Sequence, residues 1–414
     1  MQRARVSYPS ILLMALLVGI ITGLVVLLFY LLTISLIWSR VLPAAFVPGA
    51  IFVLPAAGLF FGGLILTYLA KSDTAYPTDA VLQAYHEPAK EIDLTISPWK
   101  VLSSALVVGL GGSAGIAAPM IYAGGSIGQL LYNMFKFDPR DRESFQIILM
   151  SGVAAGFAAA FKAPFTGTLL ALELPFRRTL DAKPAIPALI SALTAYAIMV
   201  SVVGKTPFFQ VAKMGGFTLA DVVGALFVGI LCGLGSRLYI LLYQAARSSF
   251  SSSRVRLYLK TLLGGVATGF IAFFGLLLTG APFVLGAGFE AVRAAVDLTY
   301  NPFVFLLLVF LKGSATVATI ASGAFGGSIG PLVVMGSSTG AAWGGLVPLG
   351  AREMMPVVGI AGFLSGGYNV PLAAAVLAVE TSGAPSALIP ALATALVARI
   401  VSGPESIMSH QSRQ

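Results

Sequence analysis

The chain of 414 residues is poor in the groups that soluble proteins rely on. It has one cysteine, two histidines, and Asp, Glu, Lys and Arg together make only 10% of it. Cys232 alone allows no intrachain disulfide. His86 and His410 are too few for a histidine-based metal site, and no cofactor is expected. Soluble chains carry about 25% charged residues, so a soluble globular domain, a disordered segment, a secreted disulfide scaffold and a nucleic-acid-binding domain are all excluded. What is present is apolar: 57% of residues and a mean hydropathy of +0.93. The class that fits is an all-α polytopic membrane protein. The 46 glycines and 23 prolines suit membrane helices that pack closely or break in mid-bilayer.

The formal charge is +9. In a membrane protein such an excess reflects basic cytoplasmic loops, or, if cations are buried, an electropositive path for anions. Met1-Gln-Arg-Ala-Arg5 precedes an apolar run, Ile11–Ile37, too long for a signal peptide. It reads as the first membrane helix with its basic end inside. Other long apolar runs are Ala44–Ala70, Leu219–Tyr243, Leu257–Leu278 and Phe303–Leu311. Gly- and Pro-cut pieces occupy Leu102–Leu131, Ile147–Leu174, Ile186–Val203, Val317–Leu346 and Pro356–Thr381. Ser248–Arg256 reads as a polar loop dividing the chain into halves, 1–247 and 248–414. The expectation is a single membrane domain with no cytoplasmic regulatory domain.

An internal repeat supports that division. Lys100 precedes Pro119 by 19 residues, and Lys312 precedes Pro331 by 19. In this register Gly111, Gly115, Gly124 and Gly128 match Gly323, Gly327, Gly336 and Gly340. A second block pairs Gly152, Pro164, Leu170, Ala171 and Glu173 with Gly359, Pro371, Leu377, Ala378 and Glu380. Asp79-Ala-Val pairs with Glu290-Ala-Val, and Pro187-Ala-Leu with Pro390-Ala-Leu. Transporters built from repeats place their site near the midplane, on interrupted helices.

Gly111–Pro119 and Gly323–Pro331 each lie between apolar segments and end in proline. Non-helical backbone at membrane depth survives only where it is buried or lines a cavity, and proline suits a helix's first turn. Each run therefore reads as a loop that opens a helix inside the membrane. The free N–H groups of such an end hold anions without a cationic side chain. Lys100 and Lys312 are intramembrane cations, either snorkelling or setting a positive potential. Glu173 and Glu380 read as capping groups, or as partners of Arg177 or Lys162, rather than proton carriers. Asp79 and Glu290 read as first-turn residues that complement a helix dipole. Gly109-Leu-Gly111-x-x-Ala114 lacks the βαβ setting of a dinucleotide site. The serines of the glycine runs have no histidine nearby in sequence, which disfavours an intramembrane hydrolase. The protein is not expected to be an enzyme.

At these residues the chain resembles the CLC family of chloride channels and chloride/proton antiporters, over roughly residues 10–403. Gly111-Gly-Ser-Ala-Gly-Ile-Ala-Ala-Pro119 is similar to the family's G-G-S-A-G-R-E-G-P. Phe161-Lys-Ala-Pro-Phe-Thr-Gly-Thr-Leu-Leu-Ala-Leu-Glu173 is similar to F-x-A-P-x-x-G-x-x-x-A-x-E. Ser322–Pro331 stands where the family has S-G-G-S-G-G-x-F-x-P, and Ala75–Asp79 where it has G-S-G-I-P. The resemblance implies an inverted repeat of tilted, partly spanning helices. It also implies a homodimer with one anion pathway per subunit, in contact with membrane lipid and with small inorganic anions such as chloride. By analogy the protein is a multi-pass protein of a prokaryotic inner membrane.

The departures are as informative. The family's gating glutamate falls at Ala117 and the antiporters' proton-transfer glutamate at Leu174. The anion-binding serine falls at Tyr76, the tyrosine at Pro385, and the third motif's phenylalanine at Ile329. Proton coupling needs titratable groups, and two of the required positions are hydrocarbon. The expectation is passive, uncoupled permeation of a small anion by a channel or uniporter; the alternatives are an anion/proton antiporter using unrecognised carboxylates such as Glu173, or a non-conducting relative. Backbone N–H groups of Ile116, Ala117, Ala118, Ser328, Ile329 and Gly330 would hold the ion, helped by Lys100, with Gly115 and Pro385 also placed at the binding site. Tyr76 would either donate its phenol or act as a plug.

Overall fold

The computed structural model describes residues 7–47, 49–71, 76–135, 141–211 and 214–412. Arg3, Arg5 and Ala75 lie outside them. α1 (Tyr8–Tyr30) continues through a π-helical stretch, Leu31–Trp38, into α2 (Ser39–Ala44), one apolar helical run long enough to cross a bilayer with tilt. α3 (Ala50–Leu64), α4 (Pro77–His86) and α5 (Ser97–Gly109) follow. Then come α6 (Ala117–Met134), α7 (Arg142–Phe161), α8 (Pro164–Glu173) and α9 (Ala185–Val203). The rest is α10 (Leu219–Ser252), α11 (Leu257–Thr279), α12 (Phe289–Val296), α13 (Pro302–Ala321), α14 (Ile329–Leu346), α15 (Met354–Tyr368), α16 (Pro371–Ser382) and α17 (Leu388–Ser402). Among the described residues eight helices are long and apolar enough to span. The protein is an integral, multi-pass, all-α membrane protein.

The two sets of helices repeat one another in detail. α6 and α7 cross antiparallel with Gly124 against Gly152, and α14 and α15 cross with Gly336 against Gly359. A Cβ at Gly152 would lie 2.0 Å from the Gly124 carbonyl oxygen. Only glycine permits that backbone approach, which dispersion forces reward in lipid. α7 and α15 both end in a left-handed residue, Lys162 (φ 52°) and Asn369 (φ 60°). Each is followed by a proline that opens the next helix, Pro164 or Pro371. At each joint the chain stops one helix and starts the next within three residues.

Helix directions show the inversion. α1 runs parallel to α9, with Gly19 on Ser191 and Gly23 on Ala195. α10 runs parallel to α17, with Gly229 on Thr394 and Gly233 on Ala398. Arg399 Nη2 donates to the Arg177 carbonyl (2.8 Å), so the start of α9 and the end of α17 share one face. α7 ends on the opposite face, where Lys162 Nζ donates to the Gly204 carbonyl (3.3 Å) beyond α9. α15 ends on the arginine face, where Asn369 Nδ2 reaches the Pro404 carbonyl (3.5 Å).

One expectation about organisation is corrected. Ser248–Ser252 is the last part of α10, not a loop. The hydroxyls of Ser248, Ser249, Ser251 and Ser252 each donate back to a carbonyl three or four residues earlier (2.8–3.1 Å). The serine run thereby satisfies itself inside a helix. A boundary at 247/248 would cut α10, which packs on α17, α15 and α13.

The two glutamates cap each other's helices across the repeat. Glu173, at the end of α8, accepts from the Leu372 and Ala373 N–H groups at the start of α16 (3.0 and 2.8 Å). Glu380, on α16, accepts from the Phe165 and Thr166 N–H groups at the start of α8 (3.1 and 2.8 Å), and from the Thr166 hydroxyl. The capping reading of the sequence is the one the contacts follow, and neither Arg177 nor Lys162 is the partner. Replacing Glu173 by Leu leaves two buried N–H groups unsatisfied. The expected loss is about 3 kcal/mol, read from denaturant unfolding in detergent. Glu173→Gln, which keeps one acceptor, loses less.

Candidate functional site

The two glycine runs meet. The Gly115 N–H donates to the Gly327 carbonyl (2.7 Å) and the Gly327 N–H to the Gly115 carbonyl (3.2 Å), a two-residue antiparallel pairing. Gly111 (φ 97°) and Gly323 (φ 101°) turn the chain into each run. From this junction α6 and α14 leave with their N-termini held together, each with proline in its first turn. A Cβ at Gly115 would lie 2.6 Å from the Gly330 nitrogen. The first-turn N–H groups have no acceptor inside their own helix. They carry the helix's partial positive charge, roughly half an elementary charge at each end.

A cavity of about 20 Å³ lies beside the junction. A single water needs roughly 10–15 Å³ on this measure, so the space admits one small species. Its wall includes Tyr76, Pro77, Thr78 and Asp79 at the start of α4, Ala118 on α6, and Gly326, Gly327 and Ser328 leading into α14. Three helix N-termini therefore meet around it. The remaining wall is Tyr243, Tyr368, Ile320 and Ile407.

Hydroxyls dominate the polar lining. Tyr239 Oη and Ser328 Oγ are 3.0 Å apart, and Tyr368 shares the cavity wall with Ser328. The Tyr239 and Tyr243 rings stack with centroids 6.3 Å apart, and the Tyr76 ring meets Tyr243 edge-on at 6.4 Å. The Arg247 guanidinium lies 3.5 Å over the Tyr76 ring and 3.6 Å from the Asp79 carboxylate. Asp79 also accepts from the Ser409 N–H and hydroxyl (3.0 and 2.7 Å), and His410 Nδ1 lies 3.7 Å from it. Asp79 and Glu290 both sit in first turns, of α4 and α12 respectively. The segment after α17 thus folds back over the start of α4, and it brings Ile407 to the cavity.

Of the residues singled out from sequence, Tyr76, Ala118 and Ser328 line this cavity. Gly115, Ile116, Ala117, Ile329 and Gly330 are buried beside it in the same two turns. Lys100 stands apart, buried in α5 with Nζ 5.5 Å from the Tyr122 ring centroid and 6.0 Å from that of Phe325. Through Phe325 it neighbours the second glycine run. Lys312 holds structure instead, donating to the carbonyls of Val284 and Gly286 (both 2.9 Å). The Gly286 N–H in turn donates to the Gly111 carbonyl (3.2 Å). Leu174 is buried, and its carbonyl accepts from Gln411 Nε2 (3.1 Å). Pro385 is a correction. It is exposed at the start of a one-turn helix, Pro385–Ala387, and is absent from the cavity wall. Wall hydroxyls come instead from Tyr243 and Tyr368, with Tyr239 behind them on Ser328. Sequence reasoning missed them, although Tyr239, Tyr243 and Arg247 recur every fourth residue and so share one face of α10.

These features define a polytopic membrane protein with an anion-suited site where interrupted helices of two inverted halves meet. The description voltage gated chloride channel belongs to a family whose sequence model matches residues 57–403. The chain belongs to that CLC family, whose members move anions across membranes. An uncharacterized protein of Methanocaldococcus jannaschii is 28% identical over 324 residues, covering 78% of each chain. A chloride/fluoride channel protein of Pseudomonas syringae pv. tomato is 26% identical, covering 84% of this chain and 76% of its own. A CLC-type fluoride/proton antiporter superposes with TM-score 0.85 at 23% identity, over 99% of this chain and 100% of the other. A slow cyanobacterial Cl-/H+ antiporter gives 0.84 at 22%, over 97% of each. At these identities the solved structures speak for the fold.

Gly115→Val is expected to abolish monodisperse, thermally stable protein in size-exclusion and melting assays, because its side chain collides with backbone. Gly216→Ala, with nothing within 4 Å of the new carbon, leaves both readouts unchanged.

Proposed function

We propose that the protein conducts a small anion, chloride or a close relative, passively and without proton coupling. The anion would rest against the N-termini of α6 and α14 and be held by backbone N–H groups of Ile116–Ala118 and Ser328–Gly330. The hydroxyls of Tyr76, Tyr243, Tyr368 and Ser328 supply further donors at the cavity. Lys100 adds a positive field from behind Phe325. The observation that carries this reading is the pairing of Gly115 with Gly327, which aims two dipoles at one spot. Uncoupling rests on Ala117 and Leu174, whose side chains cannot titrate, and on Glu173, whose two oxygens already accept backbone N–H groups.

A second reading is favoured by one observation: Asp79, a carboxylate in the cavity wall, lies beside His410. That pair could carry a proton if the protein exchanged ions. Against it, Asp79 is already held by Arg247 and by two bonds from Ser409, which suits an electrostatic latch. The positive-inside rule makes the face with Arg177, Arg178, Arg247, Arg254 and Arg399 cytoplasmic. The membrane would be a prokaryotic inner membrane and the assembly a homodimer, as the family resemblance implies. We place the two halves on either side of the α9–α10 connection.

Chloride efflux from proteoliposomes distinguishes the readings. Uncoupled flux proceeds without alkalinisation or acidification of the lumen, and a proton flux in fixed ratio to chloride would refute uncoupling. Ala117→Glu puts a carboxylate at the α6 N-terminus, where it competes with the anion. Efflux is expected to fall at least about tenfold, for a competing charge–dipole contact of 1–2 kcal/mol. Tyr368→Phe removes one hydroxyl, and anion affinity by isothermal titration is expected to weaken by about tenfold.

A further inference from the structure

A second cavity, of about 500 Å³, opens between the turn after α8, the start of α16 and the end of α17. Glu173, Arg177, Arg178, Asn369, Leu372 and Arg399 line it. Three guanidiniums face this space, and Glu173 is the one carboxylate in its wall. That carboxylate is anchored to the Leu372 and Ala373 N–H groups, and the three guanidiniums outnumber it in the wall. Their positions are braced. Arg399 donates to the Gly403 and Arg177 carbonyls (2.7 and 2.8 Å), and Arg177 Nη1 donates to the Pro404 carbonyl (3.2 Å). Each guanidinium has five N–H donors, so these bonds orient the groups and leave donors over. Arg177 Nε is buried without a partner, as is Asn369 Oδ1. A buried donor left unpaired beside a cationic cavity calls for a ligand.

We propose that this cavity binds a phosphate group. Arginine's planar fork matches phosphate oxygens in pairs, and three such forks suit a charged phosphate better than a halide, which offers one spherical acceptor. The cavity lies at the face that the arginine distribution marks as cytoplasmic, at the ends of membrane helices, where anionic lipid headgroups collect. The phosphate comes either from an anionic phospholipid headgroup or from free phosphate in the cytoplasm. This site is separate from the one beside Gly115 and Gly327, and its assignment stands or falls independently of the permeation mechanism.

The test is native mass spectrometry of the full-length protein released from detergent. It is titrated with phosphatidylglycerol, with phosphatidylcholine, and with inorganic phosphate. Bound phosphatidylglycerol exceeding phosphatidylcholine by fivefold or more supports a lipid source. Phosphate binding without that lipid preference supports a free phosphate source. Arg178→Gln, on the exposed rim, is expected to weaken either ligand about tenfold. Arg177→Gln does the same, while Arg254→Gln, on the same face but outside the cavity, leaves binding unchanged. Circular dichroism and gel filtration confirm that the variants fold. Equal binding by wild type, Arg178→Gln and Arg177→Gln would overturn the proposal, as would an Arg254→Gln loss matching theirs.

Discussion

Two peptide hydrogen bonds between Gly115 and Gly327 organise the centre of this protein. Backbone that leaves a helix inside a bilayer must find partners in protein, since the lipid offers none. Each glycine run finds them in the other. The pairing satisfies one N–H and one carbonyl of each run. It also brings two helix beginnings within touching distance, with first-turn N–H groups that their own helices cannot use. The partial positive charges of both ends meet there before any side chain is considered. The glycines are needed because any Cβ at Gly115 would strike the Gly330 backbone.

The same economy recurs further out. Glu173 and Glu380 are intramembrane carboxylates, costly alone. Each is spent on the N-terminus of the other half's short helix, as Lys312 is spent on the Val284 and Gly286 carbonyls. Opposite charges are neutralised by backbone ends rather than by each other. Buried charge therefore ties the inverted halves together and keeps the partly spanning helices α8 and α16 in register. Each carboxylate so engaged is held in place by the N–H groups of the opposite helix.

The cavity draws its wall from several elements. Hydroxyls line it from α10 and the end of α15, as Tyr243 and Tyr368, and Tyr239 backs Ser328. The segment after α17 contributes Ile407, and Ser409 ties it to Asp79. Tyr76 is wedged between Arg247 and Tyr243, so its ring is part of the wall rather than a lipid-facing surface. Arg247 balances the nearby Asp79.

Much of this was readable in the chain. Low charge and long apolar runs settle membrane residence, because transfer free energy depends on composition. Lysine, proline, glycine and glutamate held in one register disclose the repeat and the helix breaks, because those residues act on local backbone. The capping role of Glu173 and Glu380 was readable as one of two options. The tertiary structure alone decided which partners they take, that Ser248–Ser252 continues α10, that Pro385 lies outside the cavity, and that Tyr368 and Ile407 lie in its wall. Those outcomes depend on contacts between segments far apart in sequence. Pattern along a chain encodes each helix and its ends, whereas the side chains that meet at a buried centre are chosen by packing in three dimensions.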